Sequence, residues 1–195
     1  GLENSIVTTN HGGRESKQTT INPNWAAVAV KLLAEAGVKK GDLVAVTVSG
    51  SFPALNLAVY SALEAMEADA VIVASASSSQ WGANVPNFLW LDMERKLREA
   101  GVISLHADYA SIGGIEDRGI GLPEEGLKSI KASIERADVK FIEPANYQEA
   151  VADRIAIFRE YSAERNYTAY INVGGQRKLV GWYQLWVDQS VPFGR

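Results

Sequence analysis

Short apolar runs set between helical patterns constrain this chain more than any other feature. Residues 43–48, 70–74, 102–107, 139–142 and 168–173 are compact apolar stretches. Residues 57–68, 89–100, 124–137 and 148–164 between them place apolar side chains at helical spacing. One more helix precedes the first run, opened by Asn22-Pro23 and closed by Gly37. Strands that are apolar on both faces and alternate with helices predict a parallel sheet with helices on both sides. The expected fold is therefore α/β: a three-layer Rossmann-like domain with a mostly parallel sheet of about five strands. A length of 195 residues suits one core. Residues 21–175 are expected to form the single domain, and residues 1–20 a polar N-terminal segment. Residues 176–195, with Trp182 and Trp186 but no clear period, are left as a C-terminal arm.

Open parallel sheets bind ligands outside the carboxyl ends of their strands. Those ends here carry residues 49–53, 75–87, 108–122, 143–147 and 174–175. The first, Ser49-Gly50-Ser51-Phe52-Pro53, joins a strand to a helix. Backbone N–H groups at a helix start lack partners and stabilise negative charge. Ser51 or Ser49 then bonds a carboxylate or phosphate, or one of the two attacks a substrate. Alternatively Ser51 only caps the helix while Gly50 permits the turn. The second loop, with Ser79, Trp81 and Asn84, offers a ring as a wall and amides for direction, or is a surface loop. The third sets Glu116, Asp117 and Arg118 between Gly113-Gly114 and Gly119. There Arg118 is expected to clamp a carboxylate, and Glu116 or Asp117 to act as a base. The plainer reading is an internal Asp117–Arg118 pair that orders the loop. The glycines make this loop a candidate lid. Ser51, His106 and Asp108 are a third, weaker arrangement, of the nucleophile–base–orienter kind. Asp92 and Glu94 near a helix start are read as complementing its dipole, and Trp90 as core.

Several chemistries are disfavoured. The net charge of −4 and the lack of a basic block argue against a nucleic-acid partner. With no cysteine and only His11 and His106 as imidazoles, no metal site is expected. Neither a Walker loop nor Gly-x-Gly-x-x-Gly occurs, so no nucleotide cofactor is expected. No apolar run reaches the ~18 residues of a membrane span. The polar start at Gly1, without a methionine, is expected to be a trimmed end.

The segments Thr19–Asn24, Ser49–Asn56, Ser79–Asn84, Trp90–Glu94 and Gly113–Gly119 together resemble the poly-gamma-glutamate system protein family, over roughly residues 19–175. The resemblance implies an accessory role in poly-gamma-glutamate biosynthesis or export, in which the chain binds or processes glutamate-containing chains. It implies an anionic glutamyl polymer or peptide as partner, with the membrane polymer synthase as a second. It also implies a membrane-associated or cell-envelope location, with a cytoplasmic one as the alternative. The family carries no assigned catalytic residue. A hydrolase or transferase acting on gamma-glutamyl amides, with Ser51 or Asp117 as candidates, and a non-catalytic scaffold remain alternatives. The ligand-facing set is Ser49, Gly50, Ser51, Ser79, Trp81, Asn84, Glu116, Asp117 and Arg118.

Overall fold

The computed structural model describes residues 1–162, 165–174 and 185–188. Helix α1 (Arg14–Thr20) and α2 (Asn24–Glu35) precede β1 (Leu43–Ser49), α3 (Pro53–Ala65) and β2 (Asp69–Ser75). A hairpin of β3 (Asn84–Val85) and β4 (Phe88–Leu89) leads into α4 (Trp90–Glu99), then β5 (Tyr109–Ser111). Helix α5 (Glu124–Ala137), β6 (Lys140–Ile142), α6 (Tyr147–Ser162), β7 (Tyr167–Val173) and β8 (Leu185–Asp188) complete the order. The main sheet runs β6-β5-β2-β1-β7-β8. Its first five members are mutually parallel, and β8 lies antiparallel to β7. This is the expected three-layer α/β architecture. Of the expected C-terminal arm only β8 is described; Trp182 and the remainder lie outside the described residues.

Chain direction decides which face each helix covers. The steps from β1 to β2, β5 and β6 all move the same way across the sheet, so right-handed crossovers put α3, α4 and α5 on one face. The step from β6 back past β1 to β7 reverses direction and puts α6 on the other. The core divides accordingly. Val44, Val46, Ile72, Ala74, Ala110 and Ile171 pack under α2–α5. Leu43, Ala45, Val71, Val73 and Tyr109 pack with Ile157 and Phe158 of α6. The strand order thus reverses between β1 and β7, and open parallel sheets usually bind ligands at the carboxyl ends beside such a reversal.

The third parallel strand differs from expectation. Residues 102–107 are irregular, and β5 begins only at Tyr109. Three N–H groups of that irregular stretch bond helix carboxylates, and that of Val102 bonds the Leu97 carbonyl at 2.9 Å. Ser104 and Leu105 donate to Glu64 Oε1 at 2.6 and 2.9 Å, and Ala107 to Glu94 Oε2 at 3.1 Å. Helix α1 and the β3–β4 hairpin have no counterpart in the sequence reading. The polar stretch Arg14–Thr20 shows no apolar period, and each hairpin strand spans two residues.

Candidate functional site

Alternation along the strands builds the site. Because side chains switch faces at each residue, Thr47 and Ser49 point to the α6 side like Leu43 and Ala45 below them. By the same rule Ser75 follows Val71 and Val73, and Ser111 follows Tyr109. The register then aligns Ser49 with Ser75, and Ser75 with Ser111. The α6 side of the sheet is thus apolar in its lower half and carries a row of hydroxyls at the carboxyl ends. On β7 Asn172 joins it, its Oδ1 accepting the Thr47 hydroxyl at 2.8 Å, while Thr47 Oγ1 and the Tyr170 hydroxyl are 2.9 Å apart.

Arg154 of α6 meets one end of this row. Its Nη2 donates to Ser111 Oγ at 2.9 Å, and its Nη1 to Asp117 Oδ2 at 2.7 Å and to the Ala150 carbonyl at 3.0 Å. Ser111 Oγ donates to Asp117 Oδ1 at 2.7 Å, which closes a three-member network. The Arg154 side chain is 20 % exposed and that of Asp117 11 %, so the pair is shielded yet reachable. Ser75 is half-buried, and its hydroxyl makes no hydrogen bond among the described residues. Arg154 carries a signal that the sequence reading missed. It stands at helical spacing between Ala150 and Phe158, both buried, where a cation is out of place.

The glycine-rich loop closes on itself and holds Asp117 in place. Gly119 N–H donates to the Gly113 carbonyl at 2.7 Å, and Asp117 N–H to that of Gly114 at 3.1 Å. Glu116 and Asp117 both take left-handed backbone, at φ 54° and 65°. Gly113, at φ 85°, has no room for a side chain: a Cβ there would stand 2.7 Å from Ser77 Oγ. Arg118 and Glu116 pair with each other at 3.7 Å, and each is nearly half exposed. Thus Asp117 engages Arg154, and no hydrogen bond or ion pair links Arg118 to Ser51, Trp81 or Asn84 among the described residues.

The other two loops do come together. Gly50 lies against the Ser77 carbonyl, where a Cβ would approach to 2.7 Å. Ser79 N–H donates to Ser51 Oγ at 3.0 Å, and Ala83 N–H to the Gly50 carbonyl at 2.8 Å. Ser49 Oγ accepts the Ser51 N–H at 3.2 Å. The N-terminal residues lie across this pair of loops. Asn84 is fully buried, and its amide is engaged with Leu2 N–H, the Leu2 carbonyl and Thr8 Oγ1. Trp81, at φ 63°, donates its backbone N–H to the Leu2 carbonyl at 2.8 Å, and the Arg14 guanidinium lies 5.4 Å from its ring centre. Lys17 is 8 % exposed; its Nζ donates to the Ser51 carbonyl at 2.6 Å and Ser79 Oγ at 2.9 Å. That ammonium also lies 3.7 Å from the Phe52 ring centre, and burial lowers its pKa to about 8. Nothing in the polar pattern of α1 marks Lys17 as buried.

The serine–histidine–aspartate arrangement is not formed. Asp108 lies beside Ile72, whose N–H its Oδ2 accepts at 2.8 Å. That is three residues below Ser75, or ~10 Å down the sheet at the rise of a strand. Asp92 stands in the first turn of α4 and caps it, as expected, while Asp92 and Glu94 are both buried, each 2 % exposed. Asp92 accepts from Leu89 N–H, Ser133 Oγ and Arg136 Nε. Trp90 is core, 1 % exposed. Among the described residues no group of acidic and histidine side chains is arranged to hold a metal, and no helix is long and apolar enough to cross a membrane. No family model matches the chain, and a search of curated proteins finds no match.

Proposed function

We propose that this chain binds glutamate-containing chains at the carboxyl ends of β1, β2 and β5, as an accessory protein of poly-gamma-glutamate biosynthesis or export. The observation that carries this reading is Arg154, joined through Ser111 to the row formed with Ser75 and Ser49. A gamma-linked chain repeats amide groups with a free carboxylate on each residue. Hydroxyls in register offer donors and acceptors for both, and a guanidinium favours the carboxylate. Because Asp117 already balances Arg154, recognition rests on hydrogen bonding more than on net charge. The segments resembling the poly-gamma-glutamate system family, Ser49–Asn56, Ser79–Asn84 and Gly113–Gly119, supply the process in this reading. An envelope location and contact with a membrane synthase belong to the same proposal.

Titration calorimetry with short gamma-glutamyl peptides and with the polymer tests it. The wild-type chain is expected to bind at or below millimolar ligand. Ser75→Ala removes a hydroxyl with no internal partner, so it should leave the thermal midpoint unchanged and weaken binding. Arg154→Met removes a charge-assisted contact and should weaken binding about tenfold to a hundredfold. Absence of binding at millimolar ligand overturns the reading. Variants that bind like wild type overturn the placement of the site.

A further inference from the structure

We propose that Ser79 and Lys17 are a nucleophile and its general base, acting on a gamma-glutamyl amide. Only the choice of substrate rests on the glutamyl reading above; the pair itself rests on geometry. Lys17 Nζ is 2.9 Å from Ser79 Oγ, within proton-transfer reach. As an ammonium Lys17 donates to both the Ser51 carbonyl and Ser79 Oγ; as a neutral amine it keeps two N–H bonds and gains one lone pair, and the Ser79 contact reverses. One N–H is directed to the Ser51 carbonyl at 2.6 Å, and the Phe52 ring lies 3.7 Å away. The lone pair then accepts the Ser79 hydroxyl proton. Among the described residues no carboxylate pairs with Lys17, so nothing holds the proton on by charge. The neighbouring Arg14 is turned onto Trp81. Burial is what lowers the Lys17 pKa to about 8, leaving a usable neutral fraction near neutral pH.

The nucleophile is also held in place. Ser79 N–H donates to Ser51 Oγ at 3.0 Å, and its carbonyl accepts from Ser78 Oγ at 2.8 Å and from Gly82 N–H at 3.3 Å. Ser79 itself is half-buried. In the first step Ser79 Oγ forms a bond to the gamma-carbonyl carbon and its proton passes to Lys17 Nζ. The carbon–nitrogen bond then breaks, and Lys17 returns the proton to the leaving amine. In the second step water adds to the ester with Lys17 again taking a proton, and Ser79 recovers it as the acid departs. The sum is amide plus water giving acid plus amine, with no oxidant or other co-reactant. Ser51 is a positioning residue here, acting through its bonds to Ser79 and Lys17.

A fluorophosphonate probe applied to the whole chain, with the modified residue located by mass spectrometry, tests the pair. Labelling is expected at Ser79, with a rate that rises from about pH 6.5 to about 9.5 around a midpoint near 8. Ser79→Ala should abolish it. Lys17→Arg keeps a cation but cannot act as base, and should slow it about a hundredfold or more. Thermal melting of each variant checks folding, and the wild-type pH profile stands if a variant does not fold. No label on Ser79 at the alkaline end overturns the inference, as does a rate without pH dependence or a folded Lys17→Arg that labels like wild type. Polymer binding without Ser79 labelling removes this inference and leaves the binding site standing. Ser79 labelling without polymer binding does the reverse.

Discussion

Glu94 is a buried carboxylate with two donors, the Tyr60 hydroxyl at 2.7 Å and the Ala107 N–H at 3.1 Å. Burial outweighs both bonds and raises its pKa to about 7, against an ordinary 4.5. Between these values the folded chain holds a proton that the unfolded chain releases. Stability from this group therefore falls as pH rises from 4.5 to about 7, and the loss is complete above that. The size is at most about 3 kcal/mol. Glu94→Gln stays neutral throughout, so its stability relative to wild type should climb across that window in urea unfolding. A difference independent of pH would refute the shift. Asp92 is the contrasting case, a buried acid with a cation. Its carboxylate accepts from Arg136, Ser133 and the first N–H of the α4 approach. Asp92→Ala leaves those donors facing each other and removes a helix cap, and should cost about 3 kcal/mol or more. Denaturant midpoints would register this directly.

Helix α6 covers its side of the sheet alone among the described helices, which makes it the element most exposed to a single truncation. Phe158 is 2 % exposed and meets the rings of Tyr167 and Tyr170 edge-on at 5.8 and 6.1 Å. Phe158→Ala should destabilise by about 3–5 kcal/mol. Hydrogen exchange should then quicken first in α6 and β7, while α3 stays protected. The elements also show what the chain reveals unfolded. The β1 and β2 strands and helices α2 to α6 were legible because apolar period and capping residues agree there. The third strand was not. Residues 102–107 are as apolar as a strand, yet Glu64 and Glu94 take three of their N–H groups. Tyr109–Ser111 pairs on both sides within what reads as loop. For the site, the Ser49–Ser51 turn and Asp117 were readable from position. Their partners Lys17 and Arg154 were not found, because contact across more than thirty residues leaves no local pattern. Even so, a cation in the buried stripe of α6 was a visible clue.

The whole molecule has two chemically different ends. At the amino edge of the sheet the α4–β5 turn exposes Val102 at 58 %, and a groove of about 590 Å³ is lined by Arg95, Arg98 and Arg136. Glu99 and Asp138 share that groove, Arg95 pairs with Glu99, and Arg136 pairs with Asp92. At the carboxyl edge lie the hydroxyl row and Arg154. Both ends contain arginine, so affinity alone does not say which end a polyanion uses. The net charge of −4 repels a polyanion at long range from either end, slowing association at low salt without choosing between them. The absence of cysteine makes a clean footprint possible. Ser49→Cys puts one thiol in the row with little change in size, and Val102→Cys puts one at the opposite edge. If glutamyl chains lie across the strand carboxyl ends, a gamma-glutamyl peptide should slow alkylation of the first thiol and leave the second untouched. Protection of the second alone would move binding to the arginine groove. Protection of both in step with ionic strength would mean diffuse attraction with no site. Only the first outcome fits a site built on the hydroxyls that β1, β2 and β5 align at their carboxyl ends.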